Sequence, residues 1–123
     1  MMTIPRKLLV VDDDPIIRDM MVDILEFEGY TVHTARNGQE ALKLLRGEEP
    51  YLVFLDLMMP VMSGEELCTH LQSEPEVRRQ HVIVLMSALD RLEEAGSLKA
   101  DAIMSKPFVV EDALNVIAPF MGG

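Results

Sequence analysis

Four stretches of this chain hold residues that could do chemistry together. "LLVVDDDP" runs an aliphatic stretch into Asp12, Asp13 and Asp14; "FLDLMMPVMSG" holds Asp56, "VLMSA" holds Ser87 and "SKPF" holds Lys106. Neighbouring carboxylates repel one another, and the usual remedies are protonation or a bound cation. All-oxygen ligands suit a hard ion such as Mg2+, which keeps several waters and often binds beside a phosphate. A lysine and a serine then become partners for phosphoryl oxygens, Lys106 as a point charge and Ser87 as a hydroxyl donor. A carboxylate held beside such an ion can itself accept a phosphoryl group and become an aspartyl phosphate. Asp56 stands alone and is the candidate acceptor, with Asp12 and Asp13 as the metal-holding pair.

For these groups to meet, the chain must bring distant segments to one edge. Short aliphatic runs alternate with segments of helical spacing, the pattern of βαβ units around a parallel sheet. Strands are expected at Lys7 to Val11, Thr31 to Thr34, Tyr51 to Leu55, Val82 to Met86 and Ala102 to Met104. The unbroken "LLVV" points to burial on both faces. The first helix should start with Asp14 as N-cap and Pro15 at N1, bury a stripe of Ile16, Met20 and Ile24 with Ile17, Met21 and Leu25, and end at Gly29. Asn37, Glu40 and Gly47 bound a second helix, and Ser63 with Glu66 forms a capping box for a third. Residues 74 to 80 read as a polar connection, Asp90 to Leu98 as a brief fourth helix, and Glu111 to Ala118 as a last helix stopped by Pro119. In such sheets ligands lie outside the carboxyl ends of the strands, where all the candidate groups fall.

Taken in order, these motifs resemble the receiver domain of two-component response regulators, the CheY-like family, over about Lys7 to Ala118. The resemblance implies a flavodoxin-like (βα)5 doubly wound sheet of strand order 2-1-3-4-5, as a single receiver domain over residues 1–123. It implies that Asp56 is the phosphoacceptor, and that Asp13, Asp56 and the backbone carbonyl of Met58 ligate Mg2+, or Mn2+ as its substitute, with Asp12 acting largely through water. Ser87 and Lys106 would bind the phosphoryl group, Ser87 swinging inward on phosphorylation. The donor would be a phosphohistidine on a sensor histidine kinase or a histidine phosphotransfer protein, and the Lys106–Pro107 bond would be cis. The domain would catalyse only its own phosphorylation and dephosphorylation.

Some positions depart from the family pattern. Ile103 stands where an aromatic residue usually follows the movement of the Ser/Thr, so the usual readout is in question. Lys99 replaces a glycine that commonly ends the fourth helix, and the interval from Ser87 to Lys106 is about one helical turn short. A short or irregular fourth helix is expected, and with it signalling through an unusual surface or partner. That face carries output or dimer contacts in many members, so homodimerisation stays open. Met58 and Leu89, two positions after the acceptor and after the serine, cannot orient a hydrolytic water, which predicts slow autodephosphorylation.

Composition narrows the alternatives. The 123 residues are 49% apolar and 26% charged, ordinary for one globular domain. Eleven basic against twenty-one acidic residues leave a formal charge of −10, which disfavours nucleic acid and anionic lipid. The one cysteine, Cys68, excludes an internal disulfide, and with His33, His70 and His81 it forms no zinc-ligand spacing. No stretch is apolar enough to cross a membrane and "MMTIPRK" is no signal peptide, so a cytoplasmic protein is expected. The terminal "GG" leaves open whether the chain stands alone or is part of a longer protein.

Blander readings apply to other residues. Asp14 and Ser63 read as caps rather than as ligand or catalytic hydroxyl. Cys68 and most of the ten methionines read as core, while Met58, Met59 and Met62 could present a contact surface. The three histidines read as surface or strand-end residues. Two other functions remain to be weighed. One is a receiver-like interaction scaffold that needs no phosphorylation. The other is a haloacid-dehalogenase-like phosphohydrolase using the Asp-x-Asp of Asp12 and Asp14, although Ile16 does not fit that pattern and the chain is short for it.

Overall fold

The computed structural model describes residues 6–88, 91, 93 and 96–121. Strands β1 (Lys7–Val11), β2 (Val32–Ala35), β3 (Tyr51–Asp56), β4 (Val82–Ala88) and β5 (Ala102–Lys106) form one parallel sheet. Their order is β2-β1-β3-β4-β5, as expected for a doubly wound fold. The chain therefore winds to one side of β1 and then back to the other, leaving a crevice between β1 and β3 at their carboxyl ends.

Helices cover both faces, which is why the central strands are aliphatic throughout. Leu8, Val10, Leu52 and Phe54 pack with residues of α1 (Pro15–Phe27) and α5 (Val110–Ile117). Leu9, Val11, Val53 and Leu55 pack instead with α2 (Gly38–Leu45) and α3 (Gly64–Gln72). Successive strand side chains point to opposite faces, so one run of four residues serves two cores. All eight are fully buried, each contributing about 1.5–3 kcal/mol relative to exposure.

The caps read from the sequence form as expected. Asp14 Oδ1 accepts from the Ile16 N–H at 2.9 Å and Pro15 occupies the first turn of α1. Asn37 accepts from the Glu40 N–H at 2.9 Å, and Ser63 and Glu66 bond each other's backbone N–H reciprocally. Gly29, at φ 97°, follows α1 in the left-handed region.

Other expectations are corrected. Only the Ile17, Met21 and Leu25 row of α1 packs against the sheet, Met21 and Leu25 buried and Ile17 partly so; Ile16 and Met20 are 76% and 42% exposed. They lie one residue round the helix, beyond the stripe that a single packed face can bury. Residues 74–80 are not a plain connection. They contain the one-turn helix α4 (Pro75–Arg78), opened by Pro75 and held to the core through Val77. The strands β3, β4 and β5 run further than the apolar runs do, through Asp56, Ala88 and Lys106, because parallel neighbours continue to supply ladder partners. β2 begins and ends one residue later than expected.

His81 is buried at 3% exposure rather than a surface residue. Its Nδ1 accepts the Tyr51 N–H at 3.0 Å, so Nε2 carries the proton and donates to the Leu45 carbonyl at 2.8 Å. Three elements are stitched by one ring.

Of the brief helix expected from Asp90 to Leu98, residues 90, 92, 94 and 95 lie outside the described residues, as does Leu89. Lys99 adopts φ 58°, the conformation for which a glycine would be the ordinary choice. No helix among the described residues is long and apolar enough to cross a membrane.

Candidate functional site

Register builds the site. Val11 pairs with Leu55 across β1 and β3, so the next residues, Asp12 just past β1 and Asp56 at the end of β3, stand side by side. Asp56 pairs with Met86, and one and two steps further Ser87 pairs with Ser105 and Ala88 with Lys106. The candidate groups thus rise stepwise along one edge. Directly opposed like charges destabilise a strand pair, so relief must come from a proton on one of them or from a nearby cation.

Lys106 supplies part of it. Its Nζ lies 3.2 Å from Asp56 Oδ1 and 3.3 Å from Asp12 Oδ2. The two carboxylates are almost fully buried, at 6% and 1% exposure. Burial pushes the Asp56 carboxyl up to about 6, with repulsion from Asp12 adding to the effect and Lys106 offsetting only part of it. Burial also works against the charge of Lys106, but attraction to Asp56 and Asp12 outweighs it and holds the ammonium above its ordinary value.

Asp13 is exposed, yet Asp12, Asp13 and Asp56 each bring a carboxylate oxygen within 4.8 Å of the others. Three carboxylates gather here, the Lys106 ammonium reaches two of them, and all the donors are hard oxygens. That donor set fits a small divalent cation such as Mg2+. The Met58 N–H points at Asp56 Oδ1 at 3.4 Å. The Asp14 carboxylate is turned away to cap α1.

Ser87 is buried, and its hydroxyl donates to the adjacent Ala88 carbonyl at 3.2 Å. Sequence reasoning put it beside the acceptor; in this state its hydroxyl hydrogen bond is local. The Lys106–Pro107 peptide is cis.

The structure adds residues that motif reading missed. A Cβ on Gly64 would come 2.4 Å from the Asp56 carbonyl oxygen, so only glycine lets α3 start this close to the acceptor strand. Gly38 likewise faces the Met62 carbonyl, to which its N–H donates at 2.8 Å, tying α2 to the loop after Asp56. Arg18 Nη1 donates to the Asp12 carbonyl at 2.7 Å. A cation near the start of a helix runs against the helix dipole, a signal that could have flagged it. Around the site, Ile16, Met20, Val109 and Val110 are exposed, and an apolar groove of about 180 Å³ runs between α1 and α5 past Met20, Ile24 and Phe108.

Comparison with known proteins identifies the family. The family described as response regulator receiver domain matches residues 8–118. The chain is 39% identical over 113 residues to the response regulator MprA of Mycolicibacterium vanbaalenii, covering 89% of this chain and 48% of that protein. MprA of Mycobacterium ulcerans is 38% identical over 111 residues, covering 88% and 47%. The chain thus spans about half the length of these curated relatives. Among solved structures, response regulator protein TrrA from Thermotoga maritima in complex with Mg(2+)-BeF superposes with a TM-score of 0.80 at 32% identity, covering 93% of this chain and 97% of that one. The receiver domain of a histidine kinase from Syntrophus aciditrophicus gives 0.86 at 28% identity, covering 96% and 91%.

Proposed function

The chain belongs to the response regulator receiver domain family of two-component signalling, and from that premise we propose that it is a single receiver unit in which Asp56 takes a phosphoryl group from a phosphohistidine donor. The observation that carries the reading is the Asp12, Asp13 and Asp56 oxygen cluster closed by Lys106. An Asp56 carboxylate oxygen forms the bond to phosphorus, and the nitrogen–phosphorus bond breaks with its electron pair leaving on the donor imidazole.

Asp13 and Asp56, with the Met58 carbonyl, are the proposed ligands for Mg2+, or Mn2+ in its place, and Asp12 acts through water. When bound, the ion neutralises charge gathering on the phosphoryl oxygens. Lys106 offers its ammonium to one phosphoryl oxygen. Ser87 exchanges its bond to Ala88 for a second one, and that exchange is the start of the switch.

The donor is proposed to be a sensor histidine kinase or histidine phosphotransfer protein, met in the cytoplasm. The apolar rim of Ile16, Met20, Val109 and Val110 is the surface beside the acceptor on which its helices dock. Met58 is 56% exposed beside the acceptor and cannot activate water, which supports a long-lived aspartyl phosphate.

Treatment with acetyl phosphate and Mg2+, followed by trapping and peptide mapping, tests the reading. Label on Asp56, stable for minutes or longer, is expected. Label on Asp12, or turnover of a general phosphatase substrate, would point to the phosphohydrolase instead. Equal partner binding by wild type and Asp56→Asn, with and without phosphodonor, would leave only a scaffold.

A further inference from the structure

We propose that Arg18 is a positioning residue that sets the Asp12–Asp13 pair for the divalent cation; this rests on the Mg2+ reading above. The ladder of β1 with β2 and β3 ends at Val11, and the first backbone bond of α1 is from the Arg18 N–H to the Asp14 carbonyl, 3.1 Å. The Asp12 carbonyl therefore falls between strand and helix and belongs to neither pattern. Its residue is 1% exposed, and a buried carbonyl left without a donor is costly. Arg18 Nη1 meets it at 2.7 Å.

That carbonyl belongs to the peptide joining Asp12 to Asp13. A peptide is planar, so holding its oxygen sets the orientation of the whole unit between the two acidic side chains. The other polar atoms of Asp12 are tied as well. Its N–H donates to the Ala35 carbonyl at 3.2 Å, Oδ1 accepts the Asp14 N–H at 2.9 Å, and Oδ2 faces Lys106. Arg18 closes the last bond of a turn that presents Asp13, the exposed member of the trio.

Arg18 stands at the end of the first turn of α1, a turn with no acidic residue and a position where the helix dipole disfavours a cation. Solvating a helix surface does not call for arginine there; reaching back to the β1–α1 turn does. A fork of fixed geometry also holds a carbonyl more rigidly than a lysine would.

Positioning and simple charge predict opposite signs. A bystander cation beside carboxylates competes with Mg2+, so removing it would tighten metal binding. A positioning residue lost from the outer shell weakens it, by roughly tenfold or more. Calorimetric titration of wild type, Arg18→Ala and Arg18→Lys with Mg2+ at pH 7.5 separates the two, with folding checked by circular dichroism. The expected result is binding about tenfold weaker for Arg18→Ala and an intermediate loss for Arg18→Lys. Should Arg18→Ala not fold, Arg18→Met, which keeps the aliphatic stem, takes its place. Unchanged or tighter binding by the neutral variant overturns the inference alone. Wild type that binds no Mg2+ overturns the metal reading with it.

Discussion

Lys106 Nζ lies 3.2 Å from Asp56 Oδ1 and still does not bring that carboxyl to its ordinary range. Burial and the neighbouring Asp12 outweigh the ammonium, so an ionised Asp56 is a destabilising feature of the fold that the site retains.

A stability measurement exposes this cost. In the native chain Asp56 holds its proton up to about 6, whereas an unfolded aspartate releases it near about 4. The native state binds more protons between those values, so Asp56 makes stability fall as pH rises through that window. Asp56→Asn, close in shape to the protonated acid, should be more stable than wild type at pH 7.5 without metal, by about 2–3 kcal/mol. Denaturant titrations across pH check it, and the gain should vanish near pH 4. A constant difference at all pH values would contradict the assignment.

Donor docking and acceptor chemistry should separate at Ile16. This residue is 76% exposed and has no role in the core. Ile16→Glu should slow phosphotransfer from a phosphohistidine protein by about tenfold, equivalent to about 1.4 kcal/mol. Labelling by acetyl phosphate should stay within twofold of wild type, as a rough bound. Equal loss with both donors would place the effect at the acceptor instead.

Val61 carries backbone strain in the loop after Asp56. It is β-branched, 71% exposed and at φ 71°, in the left-handed region. That conformation costs a bulky residue about 1–2 kcal/mol, and little side-chain packing offsets it. Val61→Asn, whose short polar side chain tolerates the geometry, should raise the thermal midpoint by about 4 °C in calorimetry. No rise would mean that the strain is compensated by contacts of the valine.

His81 makes the fold sensitive to acid. Burial is the main reason its pKa lies below the ordinary value, with Arg6 and Arg78 acting in the same direction and the bond to Leu45 opposing them. The unfolded chain takes up that proton first, at about 6.5. His81 thus stabilises fully above that pH, and its contribution is lost as pH falls below it. His81→Ala should cost about 2–4 kcal/mol at pH 7.5, because it orphans the Tyr51 N–H and leaves a void. The difference from wild type should shrink toward pH 5, as urea titrations would show.

Much of the fold was legible because its signals are local. Asp14, Asn37 and Ser63 bond N–H groups two or three residues on, so their roles as caps follow from neighbours alone. The unbroken aliphatic runs of β1 and β3 follow from burial on two faces. Other features depended on partners far away in the chain. Ile16 and Met20 belong to an apolar row of α1, but which row meets the sheet depends on how the helix is docked. His81 does stand at a strand end, but its burial depends on Leu45 and Tyr51 closing around it. Arg18 gave no local signal strong enough to read, since the carbonyl it serves is orphaned only by the place where the ladders stop.

The alternation of strands and helices, the caps, and a set of carboxylates, serine and lysine at strand ends could all be read from neighbouring residues, because each depends on composition and spacing within a few positions. It took the folded chain to set Asp12 and Asp56 side by side at the ends of adjacent strands, to bring Lys106 to both across 94 positions from Asp12, and to leave them, by burial, short of positive charge. Those outcomes depend on register and desolvation. Both arise only when distant strands pair and exclude water.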